Sequence, residues 1–429
     1  MHSRFTQCGR VFDGQRIRCI LNITLLLCFP LLIIFPKTAG AIAGIMAIAG
    51  FIILIRYRDL KAVDWHFVAI CLILPCSYVL NMILMGWNIN YLDRPGHLLI
   101  GLMIFFLIRR YGIHSDVFFY SSCLAAAVAF GIAVFETMYL GNERVFGLNN
   151  RWNAVPFGNF SLLFGFFSIC GVFLSSKRSI KNLTRNILGI FGFACGLGAS
   201  VLSGTRGGWI AIPFLFLLII KYNRRFSNKS RLISLGIVFF AVATIYAGSN
   251  RTRNRVNEAT QHAYNYFSNP TALSAKSTST GIRLSMWNWG IGKFLDHPVT
   301  GIGIANYKNE REAAVKSGEI SLEFGRLANL HNELISTLAL GGMIGVTGLI
   351  GFWILAWRYF LVKLKKFTYD TEFYYFSLCG MITVSGTALF SMTEGLLGTS
   401  VGTKALILTL AVPAGAISHL CMRQKSAAD

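Results

Sequence analysis

Residues 38–55 read TAGAIAGIMAIAGFIILI, a run without a charged side chain, with Lys37 before it and Arg56 and Arg58 behind. A helix rises 1.5 Å per residue, so such a run covers roughly 27 Å, close to the thickness of a bilayer's hydrocarbon core. The run does not alternate apolar and polar positions as a barrel strand would. In lipid, a helix satisfies every backbone group within its own segment. Comparable runs lie at roughly 19–36, 65–87, 96–108, 116–139, 155–175, 185–203, 207–221, 232–249, 332–357, 372–394 and 401–420. The sequence therefore predicts an all-α polytopic membrane protein of about twelve transmembrane helices. Composition agrees: 54% of residues are hydrophobic and 14% charged, where a soluble domain carries about 25% charged residues. The 35 phenylalanines fit lipid-facing and interfacial surfaces.

The net charge of +22 is a topology signal and not a nucleic-acid signal, because the basic residues sit in short segments between apolar runs. With the N-terminus inside, the inner segments hold 24 Lys and Arg and the short outer loops hold 6. The latter are Lys37, Arg94, Arg144, Arg151, Arg206 and Lys404. Both termini then lie inside. One hydrophilic segment, 250–331, interrupts the rhythm on the outer side. The chain thus divides into spans one to nine (1–249), a large helical outer loop (250–331), and spans ten to twelve with an inner tail (332–429). Within the loop, 281–295 places Arg283, Trp287, Gly290 and Phe294 at helical spacing. Pro298 and Gly301-Ile302-Gly303 mark a turn, and 306–316 a further short helix. The ten cysteines show no metal-like spacing, and none lies in the outer segment.

Three residues stand out chemically. Arg206 sits between two apolar runs, and Gly207 and Gly208 behind it allow another backbone or an anionic group to come close. It reads either as an interfacial arginine snorkelling to headgroups or as an anion ligand. Arg283 opens the helix of the outer loop, as a solvated ion pair or as a second anion ligand. Arg binds phosphate oxygens bidentately, so several together would suit a diphosphate. His331 stands where the loop re-enters span ten, with Asn329 or Asn332 as a helix cap. A helix N-terminus disfavours a protonated ring, leaving an imidazole able to accept a proton, or else one that simply bonds a loop carbonyl. His297, before Pro298, competes for the role of base but reads as a turn residue. The sequence carries no Walker loop, dinucleotide fingerprint or paired-carboxylate motif on the outer side, so neither a metal nor a cofactor is expected. Acidic residues in the spans are nearly confined to Glu136 and Glu394, near outer ends, which argues against ion-coupled transport.

Four motifs in order, Ser203-Gly-Thr205-Arg206-Gly-Gly, Arg283-Leu-Ser-Met-Trp287, Asp296-His297-Pro298-Val-Thr-Gly301-Ile-Gly303 and His331-Asn332-Glu333-Leu334 followed by Gly341-Gly342-Met-Ile-Gly345, resemble the signature of the O-antigen ligase and polymerase superfamily. The likeness covers roughly 200–350. The family often has Thr-x-Ser before the first arginine, where this chain has Ser203 and Thr205 exchanged. The resemblance implies a metal-independent, inverting glycosyltransferase of the bacterial inner membrane with its site facing the periplasm. Its donor would be an undecaprenyl-diphosphate-linked glycan and its acceptor the lipid A–core oligosaccharide. By motif position, Arg206 and Arg283 would hold the diphosphate and His331 would be the base. Thr205, Trp287 and Asn332 would support them. A repeat-unit polymerase or a protein O-oligosaccharyltransferase would share these motifs and differ in acceptor. A lipid-linked oligosaccharide transporter would instead need charged residues along a path through the spans.

The charge asymmetry generates a direct test. In a background without native cysteines, Ser274→Cys should react with a membrane-impermeant thiol reagent in cells whose outer membrane is permeabilised, and Ser227→Cys should not. Labelling of position 227 alone would invert the orientation.

Overall fold

A computed structural model describes residues 2–57, 64–148, 151–174, 180–223, 227–229, 231, 236, 250–268, 278–327, 329–367 and 370–426. The described elements are helices: α1 (His2–Ile34), α2 (Pro36–Tyr57), α3 (Trp65–Met85), α4 (Asp93–Tyr111), α5 (Ser115–Val134), α6 (Ala154–Gly171), α7 (Ile180–Leu202), the single turn α8 (Arg206–Trp209) and α9 (Ala211–Tyr222). There follow α10 (Asn250–Ser268), α11 (Ser279–Asp296), α12 (Tyr307–Lys316), the short α13 (Leu322–Gly325), α14 (Glu333–Lys366), α15 (Thr371–Phe390) and α16 (Ser400–Ser426). No strand occurs among the described residues. Nine of these helices are long and apolar enough to cross a membrane, and the chain is an all-α multi-pass membrane protein. The expected fourth span coincides with α4, whose ends carry Asp93, Arg109 and Arg110, and the eighth with the shorter apolar helix Gly207–Tyr222. The expected ninth, 232–249, lies outside the described residues apart from Gly236.

Helices α6 and α15 are enclosed by protein over almost their whole length, whereas α2 and α7 expose most of theirs. The exposed side of α2 carries Ile45, Ile48, Phe51, Ile52 and Ile55, a surface suited to acyl chains. Phenylalanine departs from the sequence expectation, because much of it is interior. Phe29, Phe118, Phe164 and Phe167 are buried and pack ring against ring at centroid separations of 4.9–6.1 Å. Lipid is as apolar as a side chain, so helices in a membrane are held by close van der Waals packing, which large flat rings supply.

The feature that positions the segment from α11 to α13 is a break in α14. Gly342 adopts φ 54° and ψ −150° inside an otherwise continuous helix. Residues 298–302 fill the break: the Ile302 N–H donates to the Ala339 carbonyl (2.9 Å), Met343 to Pro298 (2.9 Å) and Ile344 to Val299 (3.2 Å). Gly301, at φ 62°, faces Gly342, and a Cβ on either would lie about 2.5 Å from the other strand's backbone. Paired glycines in an apolar run would suit close helix packing. The structure shows a backbone interruption that exchanges intrahelical bonds for bonds to the loop. Buried Asn81 of α3 fixes the same loop, its Nδ2 donating to Thr300 O (2.7 Å) and its Oδ1 accepting from Ile304 N–H (2.9 Å). Around it Met286, Trp289, Ile302, Tyr307, Phe324 and Leu330 form a second, smaller apolar core.

Gly342→Ala places a Cβ in a conformation open almost only to glycine and against the Val299 carbonyl. A cost of roughly 1–3 kcal/mol or more follows, read as a lower melting temperature in detergent. Gly44→Ala, with open space around it, should leave the melt unchanged. Equal melts for both variants would contradict the stitched break.

Candidate active site

His331 lies just before α14 and is the one non-glycine residue with positive φ (50°) among the described residues. Such a conformation persists when the surroundings enforce it. Here Asn329 Oδ1 accepts the His331 N–H (3.0 Å). Trp287 Nε1 of α11 donates to the Leu330 carbonyl (3.0 Å). Asn332 caps α14 through Ile335 N–H (3.1 Å) and donates to Met392 O (3.0 Å). Glu333 completes a clasp, its N–H donating to Ser391 O (2.8 Å) and its Oε2 accepting from Leu397 N–H (2.9 Å). The segment 329–333 is thereby tied to the turn 391–398 between α15 and α16.

That turn supplies the residue the sequence did not assign. Glu394 is 1% exposed, and its Oε2 is 3.0 Å from His331 Nδ1. The sequence placed Glu394 inside a span ending at 394, but α15 ends at Phe390 and Glu394 belongs to the turn. A carboxylate accepts and does not donate, so Nδ1 carries the hydrogen toward it and Nε2 presents its lone pair outward. His331 retains one-fifth of its side-chain exposure, enough to meet a ligand. His297 is exposed in the turn after α11, as expected of a turn residue.

Arg283 sits one helical turn before Trp287 on α11. Among the described residues its guanidinium makes no hydrogen bond and no ion pair. Burial pulls its pKa below the usual arginine value; the Glu394 carboxylate opposes that shift and Arg144 adds to it. The group stays cationic at neutral pH, leaving a desolvated positive charge with Glu394 and a second guanidinium close by. Arg144 belongs to the loop after α5, which Glu136 shapes by accepting the Phe146 N–H (2.8 Å).

Arg206 opens α8, with Thr205 at its N-cap. Thr205 Oγ1 donates to Ala154 O (2.9 Å) and meets Ser203 Oγ (2.7 Å). Thr205 thereby ties the turn to α6, while Ser203 Oγ donates back to Ser200 O of α7 (2.8 Å). A Cβ on Gly207 would lie 2.0 Å from Thr393 Oγ1, and one on Gly208 2.2 Å from Asn159 Oδ1. The glycines let the Arg206 turn lodge between α6 and the residue next to Glu394. Buried Asn159 has neither side-chain polar atom paired among the described residues. The structure thus gathers the Arg206 turn, Arg283 and His331 around Glu394, with Thr205, Trp287 and Asn332 fixing their backbones.

Residues 191–350 match the family described as O-antigen ligase. The match supports the resemblance to the O-antigen ligase superfamily over this part of the chain. The match contains Arg206, Arg283 and His331, while Arg144 and Glu394 lie outside it. An uncharacterized protein of Haemophilus influenzae is 24% identical over 370 residues, covering 84% of this chain and 90% of its own length. The matched family is one of glycosyltransferase-like ligases and implies lipid-linked glycan substrates, which supports reading the chain as a membrane enzyme.

The clasp is testable apart from chemistry. Asn332→Ala removes a helix cap and the tie to Met392, which should cost about 1–3 kcal/mol and lower the melting temperature in detergent. An unchanged melt would show that the clasp does not hold the segment.

Proposed function

We propose that this chain is the ligase of its superfamily. It transfers O-antigen polysaccharide from undecaprenyl diphosphate to the lipid A–core oligosaccharide, at the periplasmic face of the bacterial inner membrane. The observation that carries the reading is His331, hydrogen-bonded to buried Glu394 beside the unpaired guanidinium of Arg283.

In this reading Arg206 and Arg283, with Arg144 beside them, hold the diphosphate. The acceptor hydroxyl oxygen attacks the anomeric carbon while its proton passes to His331 Nε2. The bond from the anomeric carbon to the diphosphate oxygen breaks, and undecaprenyl diphosphate leaves with its charge met by fixed guanidinium groups. Glu394 keeps the ring oriented and stabilises the imidazolium that forms. One displacement with base and leaving group on opposite faces inverts the anomeric configuration. In this reading the arginines neutralise the leaving group, and transfer is expected to survive a metal chelator. The polymerase of the same superfamily differs only in acceptor, which the test below includes.

Purified protein in liposomes, supplied with an undecaprenyl-diphosphate-linked oligosaccharide and rough lipopolysaccharide, should form the extended product. His331→Ala should lower the rate by at least 10²–10⁴-fold, and Glu394→Gln by a smaller factor. Arg283→Ala should cost about 10²–10³-fold, with Arg283→Lys restoring part, because an ammonium lacks the planar fork. His297→Ala should be neutral. Near-normal turnover in His331→Ala would remove it as the base. Elongation of the donor glycan in place of transfer to the lipopolysaccharide would make the protein a polymerase.

A further inference from the structure

A cavity of about 530 Å³ opens on the His331 segment, between the ends of α3 and α4, helix α12, the start of α14 and the turn 395–398. Its size falls within the range of about 300–1,000 Å³ usual for small-ligand sites. Asn329, Leu330 and Glu333, flanking His331, form part of its wall, whereas neither Arg283 nor Arg144 lines it. It therefore lies beside the His331 segment, and His331, Arg283 and Arg144 are not among the residues that line it.

The wall has the chemistry of a sugar site. Tyr78, Tyr91 and Tyr307 offer flat apolar faces, and Asn88, Asp93 and Ser336 offer hydrogen-bonding groups. Ser336 is 8% exposed, and its Oγ has no hydrogen-bond partner among the described residues. Buried hydroxyls are ordinarily paired, so one left open on a cavity wall is a position where a ligand completes the bond. A diphosphate fits poorly, because Asp93 and Glu333 face the same space and Lys308, also on the wall, pairs with Glu312 (4.0 Å). Arg311 is already engaged, its Nη1 donating to Leu327 O and its guanidinium lying 5.3 Å from the Tyr307 ring centroid. A neutral pyranose, with C–H faces for the tyrosines and hydroxyls for the amide, carboxylate and serine, suits this mixed lining.

We infer that this cavity seats a pyranose unit of the acceptor oligosaccharide and delivers its hydroxyl to His331, an assignment that rests on the transfer reading above. Ser336 and Asp93 are then specificity-determining residues that act on the acceptor and not on the donor.

Two-substrate kinetics in liposomes test this, with an undecaprenyl-diphosphate-linked oligosaccharide as donor and purified rough lipopolysaccharide as acceptor. Ser336→Ala removes one oxygen that no protein group uses, and Asp93→Asn keeps size and shape, so neither disturbs packing. Each should raise the acceptor KM about tenfold, the scale of one lost hydrogen bond, with the donor KM unchanged. A rise in the donor KM instead would overturn the inference and give the cavity to the donor glycan. Unchanged KM values for both substrates in both variants, with the unaltered protein active, would overturn it as well. No transfer by the unaltered protein would overturn the transfer reading and the cavity assignment together.

Discussion

The interruption of α14 at Gly342 is the constraint on which the rest of the outer structure depends. A continuous helix from Glu333 to Lys366 would extend roughly 51 Å, well beyond a hydrocarbon core of about 30 Å. The break lets the apolar part stay in the bilayer while the first turns, with His331 ahead of them, join the outer segment. Broken backbone leaves carbonyl and amide groups that lipid cannot satisfy. Residues 298–302 satisfy them, and in doing so they dock the end of α11 onto the same helix. One device therefore solves the hydrogen-bond problem of a broken membrane helix and brings Arg283 into range of His331.

The second organising element is electrostatic. Glu394 is nearly fully buried near the end of the bundle, where an isolated carboxylate is costly. Its charge is answered by His331 at Nδ1 and by Arg283 nearby. Arg283 is not thereby neutralised, because Glu394 already serves the histidine and Arg144 repels. The site keeps a surplus of positive charge on one side of the histidine and a cavity of mixed polar and aromatic lining on the other. That division suits a reaction that joins a phosphorylated leaving group to a sugar nucleophile.

Much of this was legible in the sequence. Apolar runs give the spans because the bilayer fixes their length, and the placing of α11 and α12 follows from helical spacing and a Pro-Gly turn. Arg206 attracts attention because it sits between two apolar runs with two glycines behind it, Arg283 because it opens the loop helix, and His331 because it precedes a capped span. Glu394 escaped because it is 63 positions from His331 and sits where an apolar run is just ending, so its role exists only after α14 and α15 come together. Arg144 looked like an ordinary loop charge for the same reason. Gly342 alone does not reveal the break, because glycine in an apolar run signals close packing and a chain break equally well. The long apolar run 332–357, too long for a single bilayer crossing without tilt, was the available hint.

The central claim is a single displacement, with one base opposite a cationic leaving-group site and no covalent glycosyl-enzyme. The most direct measurement is the anomeric configuration of the newly formed linkage, read by nuclear magnetic resonance on product made from a donor of known configuration. The account predicts inversion at the transferred anomeric carbon. Retention would require two displacements through a protein nucleophile and would contradict His331 acting as the sole base.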